Sequence, residues 1–449
     1  MLTTVLALAI ASGPPPSTPL SLTSESLTLD NGLIIIAAPD HSVPGVALDI
    51  WYRVGSRDEE KGRTGFAHLF EHLMFMGARH APYPRFDSIM EAAGGVNNAS
   101  TSQDFTNYYE IGPSNLLETF FWLEADRLST LDRVMTDEKL KSQRLIVQNE
   151  RRQSYENRPY GMADLAVEEQ LFPAGHPYSW TPIGSHADLE AATLNDVVTF
   201  FRTWYVPNNA VLTVVGDVEP ARVFELAKKY LSFIPKKALP AKKPVAPSAL
   251  TAEKRVSMTD KVEAPKVIVA WQSPRSTTAG DAECDLLASI LTRGKASRLY
   301  QRLVHTDQLA TSVQANQGTK ELGSTFLIEA VAAPGHTTKE LLAAIDDELK
   351  KLTDKGPTKA ELDAARARLE TDFATGLQDL RTRAMMLARY QVEYGTANSL
   401  QTDLERYTRA TPESVTATAK AVLVPGRLVV EVTPEAAPTE AVKSKGGAK

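Results

Sequence analysis

His68, Glu71 and His72 fall within five consecutive positions of TGFAHLFEHLMFMG, residues 64–77, a stretch whose other members are nearly all apolar. Rich in Leu, Phe and Met and free of proline, it predicts a helix buried on almost every side. At about 100° per residue, His68 and His72 stand one turn apart and about 40° around the axis, with Glu71 about 60° from His68. Burying a carboxylate and two imidazoles without partners is costly, and a divalent cation removes that cost by binding the neutral imidazoles and offsetting the carboxylate. Two histidines at i, i+4 can hold one tetrahedral zinc ion, and a glutamate just inside them sits beside the ion without needing to ligate it. A pair of core histidines satisfied by backbone carbonyls is the competing explanation. Zinc takes a third protein ligand and leaves the fourth position open. The helical segment VQNERRQSYENRP, residues 147–159, offers Glu150 and Glu156, and the residues alone choose neither.

The elements that must position this cluster are legible in outline. SLTLDNGLIIIAAPD (26–40) and VPGVALDIWYRVGS (43–56) predict strands broken by Asp-Asn-Gly and Pro-Gly turns. ASTSQDFTNYYEI (99–111) has strand character, LLETFFWLEADRL (116–128) and TDEKLKSQRLIVQNERRQ (136–153) read as helices, and AVLTVVGDV followed by PARVFELAKKYLSFI reads as a strand and a helix. KKALPAKKPVAPSAL (236–250) has no hydrophobic period and predicts an extended linker. The chain also repeats itself. YVPNNAVLTVVG matches LVPGRLVVEVTP at an offset of 218 residues, Pro207 to Pro425. HLFEHLMFMG lies opposite DLLASILTRG at 217, and VPGVALDIW opposite APKVIVAWQ at 221. Three matches in order at nearly one offset predict an α+β fold of two homologous, sandwich-like domains related by duplication, each an antiparallel-rich sheet with helices packed on it. The second copy has Asp285, Ala288 and Ser289 where the first has His68, Glu71 and His72. The expected organisation is a signal peptide over 1–22, a zinc-binding domain over 23–235, the linker over 236–250, a second domain without the metal motif over 251–434, and a disordered tail over 435–449.

With the pattern HxxEH and four further stretches, the chain resembles the inverted-zincin peptidases, which include pitrilysin, insulysin and the mitochondrial processing peptidases. The further stretches are GGVNNASTSQDFTNYY, LIVQNERRQSYENRPYG, HPYSWTPIGSHADLEAATLNDVVTFFRTWYVPNNAVLTVVGD and ASRLYQRL, and the resemblance spans about residues 25–434. It implies that His68 and His72 bind zinc, that Glu71 is the general base, and that Glu150 is the distal zinc ligand, with Glu156 the fallback. It also implies that substrate adds as a strand at Asn98, Ala99 and Ser100. Three positions depart from the family. Gln143 stands where relatives often carry a second acid seven residues before the distal ligand, and Val304 and Thr311 stand where many carry an Arg and a Tyr that grip the scissile carbonyl.

The implied cofactor is one Zn²⁺ per chain, and the implied function is endopeptidase cleavage of extended or unfolded peptides. The expected partners are the peptide substrate and a second chain in a dimer, with a paralogue supplying the missing Arg and Tyr. A net charge of −6 with scattered basic residues leaves no electrostatic footprint for nucleic acid. The apolar run from Val5 to Ala11 has small residues behind it but no basic residue before it. It reads as a secretory leader, too short to span a bilayer, which predicts a periplasmic or secreted protein. Cys284, the single cysteine, sits in an apolar run and predicts a buried side chain rather than a nucleophile. A non-catalytic family member serving as scaffold or regulatory subunit is the alternative. It fits less well, because such chains typically lose motif residues and this one has all four.

Overall fold

The computed structural model describes residues 20–242, 245 and 249–435. The expected leader therefore lies almost entirely outside the described residues, as do the tail from residue 436 and part of the linker.

The first half supplies strands β1 (Glu25–Thr28), β2 (Ile34–Pro39), β3 (Gly45–Tyr52), β4 (Val96–Thr101), β5 (Thr106–Pro113) and β6 (Ala210–Gly216). They form one sheet in the order β1-β2-β6-β3-β5-β4. Its helices are α1 (Phe66–Leu73), α2 (Arg85–Ala92), α3 (Leu117–Thr130), α4 (Asp137–Arg151), α5 (Gly161–Leu171), α6 (His186–Glu190), α7 (Leu194–Trp204) and α8 (Pro220–Leu231). The second half supplies β7 (Lys254–Asp260), β8 (Lys266–Ser273), β9 (Ala310–Gly318), β10 (Ser324–Ala332) and β11 (Leu428–Pro434), in the order β7-β11-β8-β10-β9. Its helices are α9 (Asp281–Thr292), α10 (Thr338–Lys355), α11 (Lys359–Gly376), α12 (Leu380–Tyr394), α13 (Leu400–Arg409) and α14 (Pro412–Val422).

The duplication is visible in the topology. In each sheet one parallel pair, β2 with β6 and β7 with β11, sits beside an antiparallel run. The repeat places β3 on β8, β6 on β11 and α1 on α9, and the strand orders then superimpose except for the extra edge strand β1. The architecture is therefore α+β with two homologous domains.

Every residue of β6, and every residue of β3 after Gly45, is buried, because this sheet is covered on both faces. On one face, Ile35, Leu48 and Ile50 pack against Phe70 of α1, Phe120 and Phe121 of α3, and Leu226 of α8. On the other, Ile36, Trp51, Val211 and Val215 pack against Ala384, Leu387 and Ala388 of α12, a helix of the second half. The exchange is reciprocal: Ala163, Val167 and Leu171 of α5 cover Ile268, Ala270 and Val430 of the second sheet. Each half thus lends a helix to the other's sheet. A polar lock reinforces the contact, where buried Arg57 Nη1 donates to Asp104 Oδ1 and to Glu321 Oε2, each at 2.7 Å. Hydrophobic periodicity reports only that a helix has an apolar face, so this partner exchange is not legible in the sequence.

Candidate metal centre

The helix carrying the three polar residues begins abruptly. Gly65 has φ +87°, the left-handed region that favours glycine, and Gly184 (φ +67°) packs against it so closely that a Cβ there would lie 2.4 Å from the Gly65 Cα. Buried Glu59 takes the first helical donors, accepting from Gly65 N at 3.0 Å and Ala67 N at 2.8 Å. The helix ends at Leu73, and a turn carries the chain to Gly77. Phe66, Leu69, Phe70 and Leu73 enter the core, which leaves His68 and His72 on the strip facing α4.

α4 brings the third group. Thr136 accepts from Lys139 N at its start, and Leu140 and Val147 anchor its buried face. Glu150, near the C-terminal end, lies with Oε2 3.3 Å from His72 Nε2 and 3.7 Å from His68 Nε2. The ligand atoms of His68, His72 and Glu150 all lie within 4.8 Å of one another, and no other such cluster of three occurs among the described residues. Glu156 lies elsewhere. Its Oε1 accepts from Arg151 Nε at 3.1 Å and is 2.8 Å from His186 Nε2. Of the two glutamates the sequence offered, Glu150 is the one brought to the histidines.

Glu71 points from the same helix towards the sheet edge, where Thr101 Oγ1 donates to its Oε2 at 2.5 Å. β4 is the outer strand of the first sheet, so Asn98, Ala99 and Ser100 lie on a strand with one unpaired edge. The Ala99 N–H donates to the Asn98 side-chain oxygen at 2.8 Å, and Ser100 Oγ donates to Asn107 Oδ1 at 2.6 Å. The segment read as one region of strand character is a hairpin, β4 and β5, turned at Ser102 to Phe105. Thr101 and Glu59 were missed from sequence, since neither belongs to the spacing of the motif.

Charge is finely divided here. Burial and the neighbouring His72 hold the His68 imidazole down at about 4, so it is neutral at physiological pH. Burial also opposes charge on His72, yet the Glu150 carboxylate prevails and raises it above the ordinary imidazole value. His72 in turn holds the Glu150 carboxyl below its usual range. Gln143, in place of a second acid, contributes to the upward shift of His72. Burial pushes Glu71 up, against the Thr101 hydrogen bond that pulls it down.

The donor set fits a zinc ion. Two ligands bound at about 2.0–2.1 Å in a tetrahedron stand about 3.3 Å apart. The separations of Glu150 Oε2 from His72 and His68, 3.3 and 3.7 Å, lie at that value and a few tenths of an ångström above it, and all three donor atoms lie within 4.8 Å of one another. Two neutral imidazoles and one carboxylate carry a single negative charge, so the set does not cancel a divalent cation.

Among the described residues the second half has no equivalent cluster. Around Asp285, Ala288 and Ser289 of α9 lies a cleft of about 890 Å³, also lined by Gln317 of β9. Asp285 is pushed up to about 6 by burial and accepts from Tyr407 at 2.8 Å. Cys284 beside it is buried, and burial raises its thiol. Val304 lies in a π-helical turn, Tyr300–Thr306, and Thr311 lies in β9.

Known proteins show the same division. Residues 34–175 match the family described as Insulinase (Peptidase family M16), and residues 191–369 match Peptidase M16 inactive domain. The chain is 33% identical to the zinc protease PqqE of Helicobacter pylori over 85% of this chain and 86% of that one. The crystal structure of a protease from Helicobacter pylori superposes with a TM-score of 0.87 at 30% identity, covering 92% of this chain and 100% of the other. The periplasmic protease PqqL from Escherichia coli shares the fold at a TM-score of 0.76 and 19% identity, over 92% of this chain but 48% of that one. Matched in both halves, and one-third identical to a zinc protease along most of its length, the chain belongs to the insulinase family, peptidase family M16.

Proposed function

We propose that the chain is a zinc endopeptidase that hydrolyses extended or unfolded peptides, holding one zinc ion through His68, His72 and Glu150 with Glu71 as general base. The observation that carries this reading is the convergence of three donor atoms beside a fourth, buried carboxylate that stands next to a free sheet edge. The match to an inactive domain covers 191–369 and so leaves out all four of these residues.

Zinc, when bound, supplies Lewis acidity, acidifying a water and polarising a carbonyl oxygen. Glu71 does the proton work. Its Oε2 is engaged by Thr101, while Oε1 has no hydrogen bond among the described residues and is the oxygen left to take the water's proton and pass it to the departing amine. Asn98, Ala99 and Ser100 hold the substrate as an added strand, using backbone donors and acceptors that every peptide can match. That mode suits a substrate class defined by extension rather than sequence.

The rest of the reading concerns the setting. The chain acts as a dimer, with a paralogous chain supplying the carbonyl-gripping Arg and Tyr that Val304 and Thr311 replace. The twofold length of the Escherichia coli relative supports this, since this chain matches about half of it. The leader directs export to the periplasm or beyond. Among the described residues no helix is long and apolar enough to cross a membrane.

The test is Glu71→Gln, measured for zinc content and for cleavage of a quenched unstructured peptide. The expected outcome is loss of cleavage with zinc retained near one per chain. Persistent cleavage overturns the assignment of the base.

A further inference from the structure

Five residues beyond Arg151, Glu156 turns back to meet it. In an α-helix, side chains five apart lie about 140° apart around the axis. Here α4 runs into a π-helical turn, Arg152–Glu156, closed by Asn157 N donating to Arg152 O at 2.7 Å. The wider turn brings residue i+5 towards residue i. Arg151 Nε then donates to Glu156 Oε1 at 3.1 Å, while Arg151 Nη1 reaches the Gly184 carbonyl at 2.5 Å. His186 Nε2 closes the group on the same Glu156 oxygen at 2.8 Å.

What this group grips is the start of α1. Gly184 is the residue in backbone contact with Gly65, and next to it Ser185 N donates to Thr64 Oγ1 at 3.1 Å. Thr64 Oγ1 and N both donate to Asp188 Oδ2 on α6, at 2.5 and 3.1 Å. A continuous path therefore runs from Arg151, the immediate neighbour of Glu150, through Gly184 to Gly65, three residues before His68. Ion pairs on a protein surface hold little. This one differs because the Arg151 side chain is only 12% exposed and bonds a backbone carbonyl as well as the acid.

We infer that Glu156 is a positioning residue: with Arg151, His186 and the Gly184 carbonyl it clamps the end of α4 to the start of α1 and so sets the gap between the Glu150 carboxylate and the two imidazoles. The inference rests on the reading of Glu150 as a metal ligand. It gives a role to the glutamate that the residues alone could not tell from Glu150, and it explains why the helix widens just past the third ligand.

The experiment is a zinc titration of the metal-free full chain against a competing chelator, paired with melting of the same metal-free protein. Glu156→Ala should weaken zinc binding about 10- to 100-fold, the range for partners that orient ligands, with the metal-free melting temperature unchanged. Glu156→Gln, which keeps an oxygen for Arg151, should retain most of the affinity. His186→Ala should lose affinity as well, and its effect should not add to that of Glu156→Ala. Saturating zinc should restore kcat in each variant. Wild-type zinc affinity in both alanine variants overturns the proposal, as does a loss that appears only as a lower metal-free melting temperature. If Glu156→Ala does not fold, Glu156→Gln and His186→Ala carry the same comparison. Glu150→Gln separates the two claims. If it loses zinc while Glu156→Ala keeps it, only the clamp fails; if it keeps zinc while Glu156→Ala loses it, Glu156 is itself the ligand and the reading of Glu150 fails too.

Discussion

Thr101, the last residue of β4, donates a 2.5 Å hydrogen bond to Glu71 on α1. The edge strand proposed to receive substrate is thereby tied to the carboxylate proposed to act on it. The Thr101 bond is also the main influence opposing the upward push of burial on Glu71.

Removing that donor should therefore raise the Glu71 carboxyl further. Thr101→Val is expected to shift the acidic limb of the kcat/KM profile to higher pH and to lower kcat roughly tenfold at neutral pH, in the range of one lost hydrogen bond to a charged group. Zinc content should stay at the wild-type level. A profile whose acidic limb does not move means that Glu71 is not the group titrating in it.

Ala99→Pro tests the sheet edge. The Ala99 N–H is taken by its neighbour Asn98 rather than by β5, so proline removes a donor that an incoming strand could use. KM should rise roughly tenfold, about one hydrogen bond's worth, with kcat changed much less. Unchanged KM across several unstructured peptides would exclude strand addition at this position.

Zinc affinity should depend on pH in two stages. His72 is raised above the ordinary imidazole range and His68 is held at about 4. As pH falls from neutrality, His72 takes a proton first and the apparent affinity should drop tenfold per pH unit. Only near pH 4 should a second proton steepen the slope. Chelator-competition titrations between pH 8 and pH 4 measure this, and a two-proton slope already at pH 6 contradicts the division between the histidines.

Asp49 offers a stability test far from the metal. It is wholly buried on β3 beneath α12, accepts from Asn107 at 2.5 Å, and burial raises its carboxyl to about 7. Because the folded state holds this proton more tightly than the unfolded state, its contribution to stability is complete below about pH 4 and is lost as pH rises through 7. The loss is about 4 kcal/mol at most. Asp49→Asn stays neutral throughout, so its melting temperature should gain on wild type between pH 5 and pH 8. A constant difference between the two across that range sinks the assignment.

The sequence by itself determined the chemistry that could be local. His68, Glu71 and His72 lie on one turn of a helix, so their common face follows from spacing and the helical period alone. The duplication was equally legible, because a repeated hydrophobic pattern repeats a fold, and the strand orders of the two sheets agree. What only the tertiary structure decided involves residues distant along the chain. Glu150 and Glu156 occupy the same helical pattern, and which of them comes to lie beside the histidines depends on how α4 and its π-helical turn dock against α1. The direction of Thr101 depends on β4 lying at the edge of the first sheet. The crossing of α5 and α12 onto each other's sheets depends on which apolar faces meet, and a helix face of Ala, Leu and Val carries no record of which sheet it will cover. Periodicity fixes what a segment buries; packing decides against what.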